Sequence, residues 1–97
     1  EKYNNDKTYD FYKLCMCAKD GDLEYLKILF NREVDFNQSD YDGRTVLHVA
    51  VSENKEDIVN FLINIVKVDI NKKDRWNNTP KDEALNNENL LKYFVQV

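Results

Sequence analysis

Turn-forming residues are scarce in this chain: its 97 residues include 2 Gly and 1 Pro. All-β sandwiches and barrels consume both at their many tight turns, so the shortage argues against them and leaves helices joined by few connections. Positive charge is also short, with 14 Lys and Arg against 18 Asp and Glu for a net charge of -4. That disfavours nucleic acid, because a binder needs a basic stripe to release counterions from phosphate. The two cysteines, Cys15 and Cys17, are separated by one residue. That spacing suits neither a disulfide staple nor a zinc knuckle and implies a reducing, intracellular and most naturally cytoplasmic setting. No run approaches the ~18 apolar residues of a membrane span, which excludes membrane insertion, and no signal-peptide pattern opens the chain. The chain starts at Glu1 rather than Met and reads as a fragment of a larger protein. What is present is 42% hydrophobic and 33% charged, the composition of one soluble domain with one small core.

The sequence repeats itself. Laying the segment from Phe11 over the segment from Arg44 brings Leu14 onto Leu47, Gly21 onto Asn54 and Leu29 onto Leu62, each pair 33 residues apart. Farther on the spacing becomes 34, with Asp35 on Asp69, Asn37 on Asn71 and Asp40 on Asp74, which places one extra residue around Val66 and Lys67. A third unit opens at the same spacing of 34, Thr45 matching Thr79 and Ala50 matching Ala84. It then shortens, because Leu90, Leu91 and Phe94 match Ile58, Val59 and Leu62 at 32. Within each unit the apolar residues recur at helical spacing, as in Leu23, Leu26 and Phe30 or Ile58, Val59, Phe61, Leu62, Ile65 and Val66. Gly21 and Asn54 sit between paired helices where a positive φ ends the first. Short alternating stretches then lead to the turn-like strings Asp40-Tyr41-Asp42-Gly43 and Asp74-Arg75-Trp76-Asn77-Asn78.

The strings DYDGRTVLHVAVSENKEDIVNFL and DRWNNTPKDEAL resemble the ankyrin repeat family: an Asp-x-x-Gly turn, a Thr-Pro-Leu-His helix opening, an Ala, then a Val-Val-x-x-Leu-Leu second helix. The resemblance spans about residues 11–95. It implies an all-α solenoid of about three helix-turn-helix units joined by extended fingers or β-hairpins. The chain then divides into an N-terminal extension or cap (1–10), repeats at 11–43 and 44–77, and a compressed C-terminal repeat (78–97). Tyr9 and Phe11 are expected to cap the first unit, with the rest of 1–10 fraying. Three departures stand out: Val46 replaces the usual Pro, Lys81 and Asp82 replace Leu-His, and Glu33 occupies a position normally Gly, costing on the order of 1 kcal/mol if positive φ is kept. Asn78 also marks a place where the usual turn-former is missing.

The resemblance makes His48 structural, bonded to Thr45 and to backbone of neighbouring turns. One His cannot supply a metal site alone, and Cys15 and Cys17 lie about 200° apart around a helix, so no metal or cofactor is expected. Thr79-Pro80-x-Asp82 reads as a capped helix start, with Thr45 in the same role in the preceding unit. Gly43 serves the turn, and Asp42 is expected to accept hydrogen bonds from the backbone that follows it. Together with Gly21, these residues build the scaffold. The carboxylates are solvated surface, and no Gly-rich phosphate loop or nucleophile-His set can be assembled. The chain itself is therefore not expected to be an enzyme.

Surface recognition remains. Stacked repeats form a concave face from finger tips and the inner sides of the first helices. The candidates there are Tyr41, Arg44, Lys72, Lys73, Arg75, Trp76 and Asn77 at the tips, with Ser52 and Glu53 near the inner helices. Trp76 is either an anchor for a partner or packed back on Tyr41 or Pro80. Lys72, Lys73 and Arg75 are either a cationic patch for an acidic partner or a solvated turn. The wording is also similar to the C-terminal ankyrin tails of kidney-type glutaminases, to those of plant-type voltage-gated potassium channels, and to segments beside some asparaginases. Two functions follow: a module binding another protein or another domain of its parent, or a regulatory tail through which an enzyme or channel self-associates.

Overall fold

In the structure, a computed structural model that describes residues 7–95, the helices come in pairs at the expected register. They are α1 (Lys7–Asp20), α2 (Leu23–Asn31), α3 (Val46–Ser52), α4 (Glu56–Asn60), α5 (Pro80–Ala84) and α6 (Glu88–Leu91). α1, α3 and α5 pack side by side as an inner row, and each odd-numbered helix packs against the even-numbered helix after it. α3 is central to that row, so it is apolar nearly all round: Val46, Leu47, His48, Ala50 and Val51 are all buried, as a helix flanked on both sides must be. Leu14, Leu26, Ile58, Leu62 and Leu90 fill the space between the rows. The helix α1 begins four residues before the expected repeat boundary. Of residues 1–10, all expected to fray, residues 7–10 instead form the first turn of α1; residues 1–6 and the capping contact expected of the Tyr9 side chain lie outside the described residues, and Phe11 is half-buried.

The local stop and start signals act as the residue types require. Thr45 caps α3 by accepting the His48 N–H, and Thr79 caps α5 by accepting the Asp82 N–H at 3.2 Å while the Asp82 carboxylate accepts the Thr79 N–H at 2.9 Å. Two orphan donors are thus satisfied at each helix start. Positive φ recurs at equivalent places: Gly21 and Asn54 between paired helices, Glu33 and Lys67 after the second helices, Gly43 and Asn77 in the tips. Glu33 therefore keeps the strained backbone expected of it, with φ of 65°. The tip equivalent to Gly43 is Asn77 rather than Asn78, because Asp74 sets the register of that turn and puts its fourth residue in the left-handed region.

Two features differ from the sequence expectation. The extra residue of the second unit is taken up inside the helix rather than after it: α4 runs on as a π-helical segment over Phe61–Val66. In the first unit the Val34 N–H reaches the Leu29 carbonyl, whereas in the second Val68 reaches the matching Leu62 carbonyl one residue farther on. A wider helical turn keeps the apolar face continuous where a loop insertion would break it. The fingers, in turn, are not hairpins of paired strands. Among the described residues they contain one isolated antiparallel bridge, Ser39 to Thr45. Aspartate side chains take several of the finger amides: Asp35 accepts from Asn37, Asp69 from Asn71, and Asp40 and Asp74 from their own turns.

Candidate functional site

Each tip is built around a carboxylate that replaces strand pairing. Asp40 Oδ1 accepts the N–H groups of Asp42 at 2.8 Å and Arg44 at 3.0 Å, and Asp74 Oδ1 accepts those of Trp76 and Asn78, both at 2.9 Å. The turn-forming acid is thus Asp40, two residues before the one expected. Asp42 instead binds the next tip: its carboxylate holds the Arg75 guanidinium at 2.9 Å and its carbonyl accepts the Arg75 N–H at 2.7 Å. The register explains this, since only the first residue of the turn points its side chain back over the amides that follow. Gly43 lies where the tips meet; a Cβ there would stand 3.2 Å from the Asp74 Cα.

Asp74 is buried, and its second oxygen accepts from Arg44 at 3.0 Å. Burial opposes the charge, but the N–H groups of Asn78 and Trp76 and the Arg44 guanidinium outweigh it and hold the carboxyl below the usual aspartate range. Arg44 also forms a two-pronged pair with Glu83 on α5, and that hydrogen bond, against burial, raises its own pKa. Only 21% of the Arg44 side chain is exposed. Expected at the surface as a partner contact, Arg44 instead clamps the second unit to the third. His48 is fully buried in the same seam. Its Nδ1 accepts the Thr45 N–H at 3.0 Å, and its Nε2 lies 3.1 Å from the Asn78 carbonyl, which can only accept. The proton therefore sits on Nε2, and both ring nitrogens are occupied by the scaffold.

The other tip candidates remain open. Tyr41 is 97% exposed and Trp76 59%, so Trp76 does not pack on Tyr41. One neighbour of its ring is the Arg75 guanidinium, 5.5 Å from the ring centroid. Lys73, Asn77, Ser52 and Glu53 are exposed and Lys72 is half-buried. The tips of the first and second units thus present two aromatics, with Lys72 and Lys73 beside the second and Arg75 already engaged by Asp42.

The two thiols of α1 are not activated. Burial, then the charge of Asp40, pushes the Cys15 thiol up to about 11; burial, then Asp22 and Asp20, does the same for Cys17. Both stay protonated and poorly nucleophilic at neutral pH. Among the described residues no group of His, Cys, Asp and Glu is placed to hold a metal ion, and no helix is long and apolar enough to cross a membrane.

Sequence reasoning did not single out Asp40, Asp74 or Glu83. The first two carried a signal, because Asp recurs at the head of both tips. Glu83 carried none, since its role exists only when α5 stacks beside Arg44.

The family profile of ankyrin repeats in three copies matches residues 3–96. Among curated proteins, a candidate glutaminase 2 of Caenorhabditis elegans is 51% identical over 67 residues, 69% of this chain and 11% of that protein. The liver isoform of mitochondrial glutaminase of Rattus norvegicus is 46% identical over 74% of the chain and 12% of its own length. The potassium channel SKOR of Arabidopsis thaliana is 45% identical over 81% of the chain and 10% of its length. The chain therefore spans about a tenth of each of these relatives. Among solved structures, a chain from the complex of a Bdellovibrio bacteriovorus predatory endopeptidase with an immunity protein superposes with a TM-score of 0.73 at 28% identity. That match covers 84% of this chain and 44% of the other.

Proposed function

Because the chain belongs to the ankyrin repeat family, whose members are generally non-catalytic protein-interaction modules, we propose that it binds another protein, or another domain of a longer parent chain, through the tips of its first and second units. The observation that carries this reading is Trp76. A large aromatic left 59% exposed on a turn pinned by a buried carboxylate costs little to order when a partner covers it, which is the character of a binding hot spot. Tyr41 on the neighbouring tip widens the contact, and Lys72 and Lys73 favour an acidic partner. Asn77, on the same turn as Trp76, extends this surface, and Ser52 and Glu53 at the far end of α3 complete the proposed face. Similarity to segments of glutaminases and a potassium channel supports a second reading, that the module works as a contact or regulatory tail of such an enzyme or channel inside the cell.

The test is capture of partners by the immobilised chain and by Trp76→Ala, followed by binding measurements with each purified partner. The variant is expected to bind about 10-fold or more weakly while melting at the same temperature. Equal affinity for both forms would remove the tip surface from the interaction.

A further inference from the structure

The outer face of the domain carries a groove of about 570 Å³ between α2 and α4, away from the tips. One wall presents Leu23, Lys27 and Phe30 from α2; the other presents Asp57, Phe61 and Ile65 from α4 and its π-helical continuation. Phe30 and Phe61 meet edge to face across it, 5.9 Å between ring centroids. Phe30 is 37% and Ile65 56% exposed, and Ile65 lies on the widened turn that takes up the extra residue. π segments inside helices are frequent at functional sites.

The charges on the two walls identify what fits. Lys27 stands on one side and Asp57 on the other, both exposed. Lys27 also pairs with Glu24 at 3.6 Å in the open, a contact too weak to hold it there. A strongly acidic or basic peptide would meet a like charge on one wall. A surface that matches itself under a two-fold rotation does not. We propose that the occupant of the groove is a second copy of this chain, docked so that each copy's α2 wall lies on the other's α4 wall. Lys27 of one copy then faces Asp57 of the other, twice, around the shared apolar strip. A standard interface hides about 800 Å² per partner, roughly an eighth of the 6268 Å² this chain exposes. The contact leaves the tips uncovered, so it is independent of the partner surface proposed above.

Sedimentation velocity on the 97-residue chain, from about 1 µM to about 1 mM, tests it. The unmodified chain is expected to shift from monomer to dimer. Lys27→Glu alone and Asp57→Lys alone each oppose like charges twice, and each should weaken the dimer about 10-fold or more. Mixed in equal amounts they should form a heterodimer, because each supplies the charge the other has lost. Ile65→Ser should lose the dimer as well, with an unchanged circular dichroism melt. Trp76→Ala should keep the dimer, whatever its effect on partner binding. An unmodified chain that stays monomeric throughout overturns the proposal, as does a single charge variant that dimerises normally or a mixture that remains monomeric. Loss of the dimer in Trp76→Ala would place the contact at the tips and overturn it too.

Discussion

Glu33 and Lys67 hold φ values of 65° and 62°, a conformation that presses an L residue's Cβ on the following carbonyl at about 1–2 kcal/mol each. Glycine removes the clash but frees the unfolded chain by about 0.4–1 kcal/mol. Glu33→Gly and Lys67→Gly should therefore each stabilise the domain by roughly 0.5–1 kcal/mol. The reverse exchanges separate backbone strain from crowding. At Gly21, with φ of 76°, a new Cβ meets only the Lys55 side chain, nearest at 3.7 Å, so Gly21→Ala should cost the backbone term alone, about 1 kcal/mol. At Gly43 the Cβ would lie 3.2 Å from the Asp74 Cα and 3.3 Å from the Lys73 carbonyl oxygen. These are backbone atoms that cannot yield without parting the tips, so Gly43→Ala should cost about 2–3 kcal/mol. Urea unfolding reads the series as shifts in midpoint at constant slope, and in a domain of this length 1 kcal/mol moves the melting temperature by about 4–8 °C. A lower midpoint for Glu33→Gly, or equal losses at Gly21 and Gly43, would refute the reasoning.

His48→Leu should destabilise by about 1–3 kcal/mol, because it strands the buried Thr45 N–H, while the Asn78 carbonyl keeps the Asp74 N–H; a urea midpoint within error of the unmodified chain would show that the Thr45 N–H finds another partner. Deleting the chain from Leu90 onward removes Leu90 and Phe94, both buried, and uncovers the last inner helix; the expected result is loss of a cooperative thermal transition, and a retained one would contradict the capping role. Asp74 and Glu56 titrate below their usual ranges. In Asp74 the backbone amides and Arg44 overcome the cost of burial, and in Glu56 the Tyr93 hydroxyl and Lys92 stabilise the charge. Since the folded values are depressed, this stability is present above the unfolded values near pH 4 and is lost as pH falls through the folded ones. The urea midpoint should fall between pH 5 and about pH 2, and the fall should be smaller in Asp74→Asn with Glu56→Gln; an unchanged pH profile would remove both groups as its source.

Much of this could be read from residues close together in the chain. Thr79, Pro80 and Asp82 form the expected cap because every atom involved lies within one turn of helix. The positive φ at Glu33 followed from the family resemblance, which puts a Gly at that position. Reading failed where two positions a residue or two apart were chemically alike. Asp40 and Asp42 can both accept turn amides, and Asn77 and Asn78 can both adopt positive φ, so composition did not choose between them. It failed again at Arg44, whose partners Asp74 and Glu83 are 30 and 39 residues away. The groove was invisible for the same reason. Phe30 and Ile65 each read as one more residue of an apolar helix face, and Lys27 and Asp57 as solvated charges.

The sequence by itself determined the period, the helix pairs and the side of each helix that is buried, because those depend on spacing within a unit and on capping chemistry a few residues long. Stacking decided the rest. Which carboxylate holds a turn, which arginine is a clamp rather than a contact, and where one extra residue widens a helix instead of lengthening a loop are settled only when neighbouring units compete for the same hydrogen-bond donors and the same apolar surface.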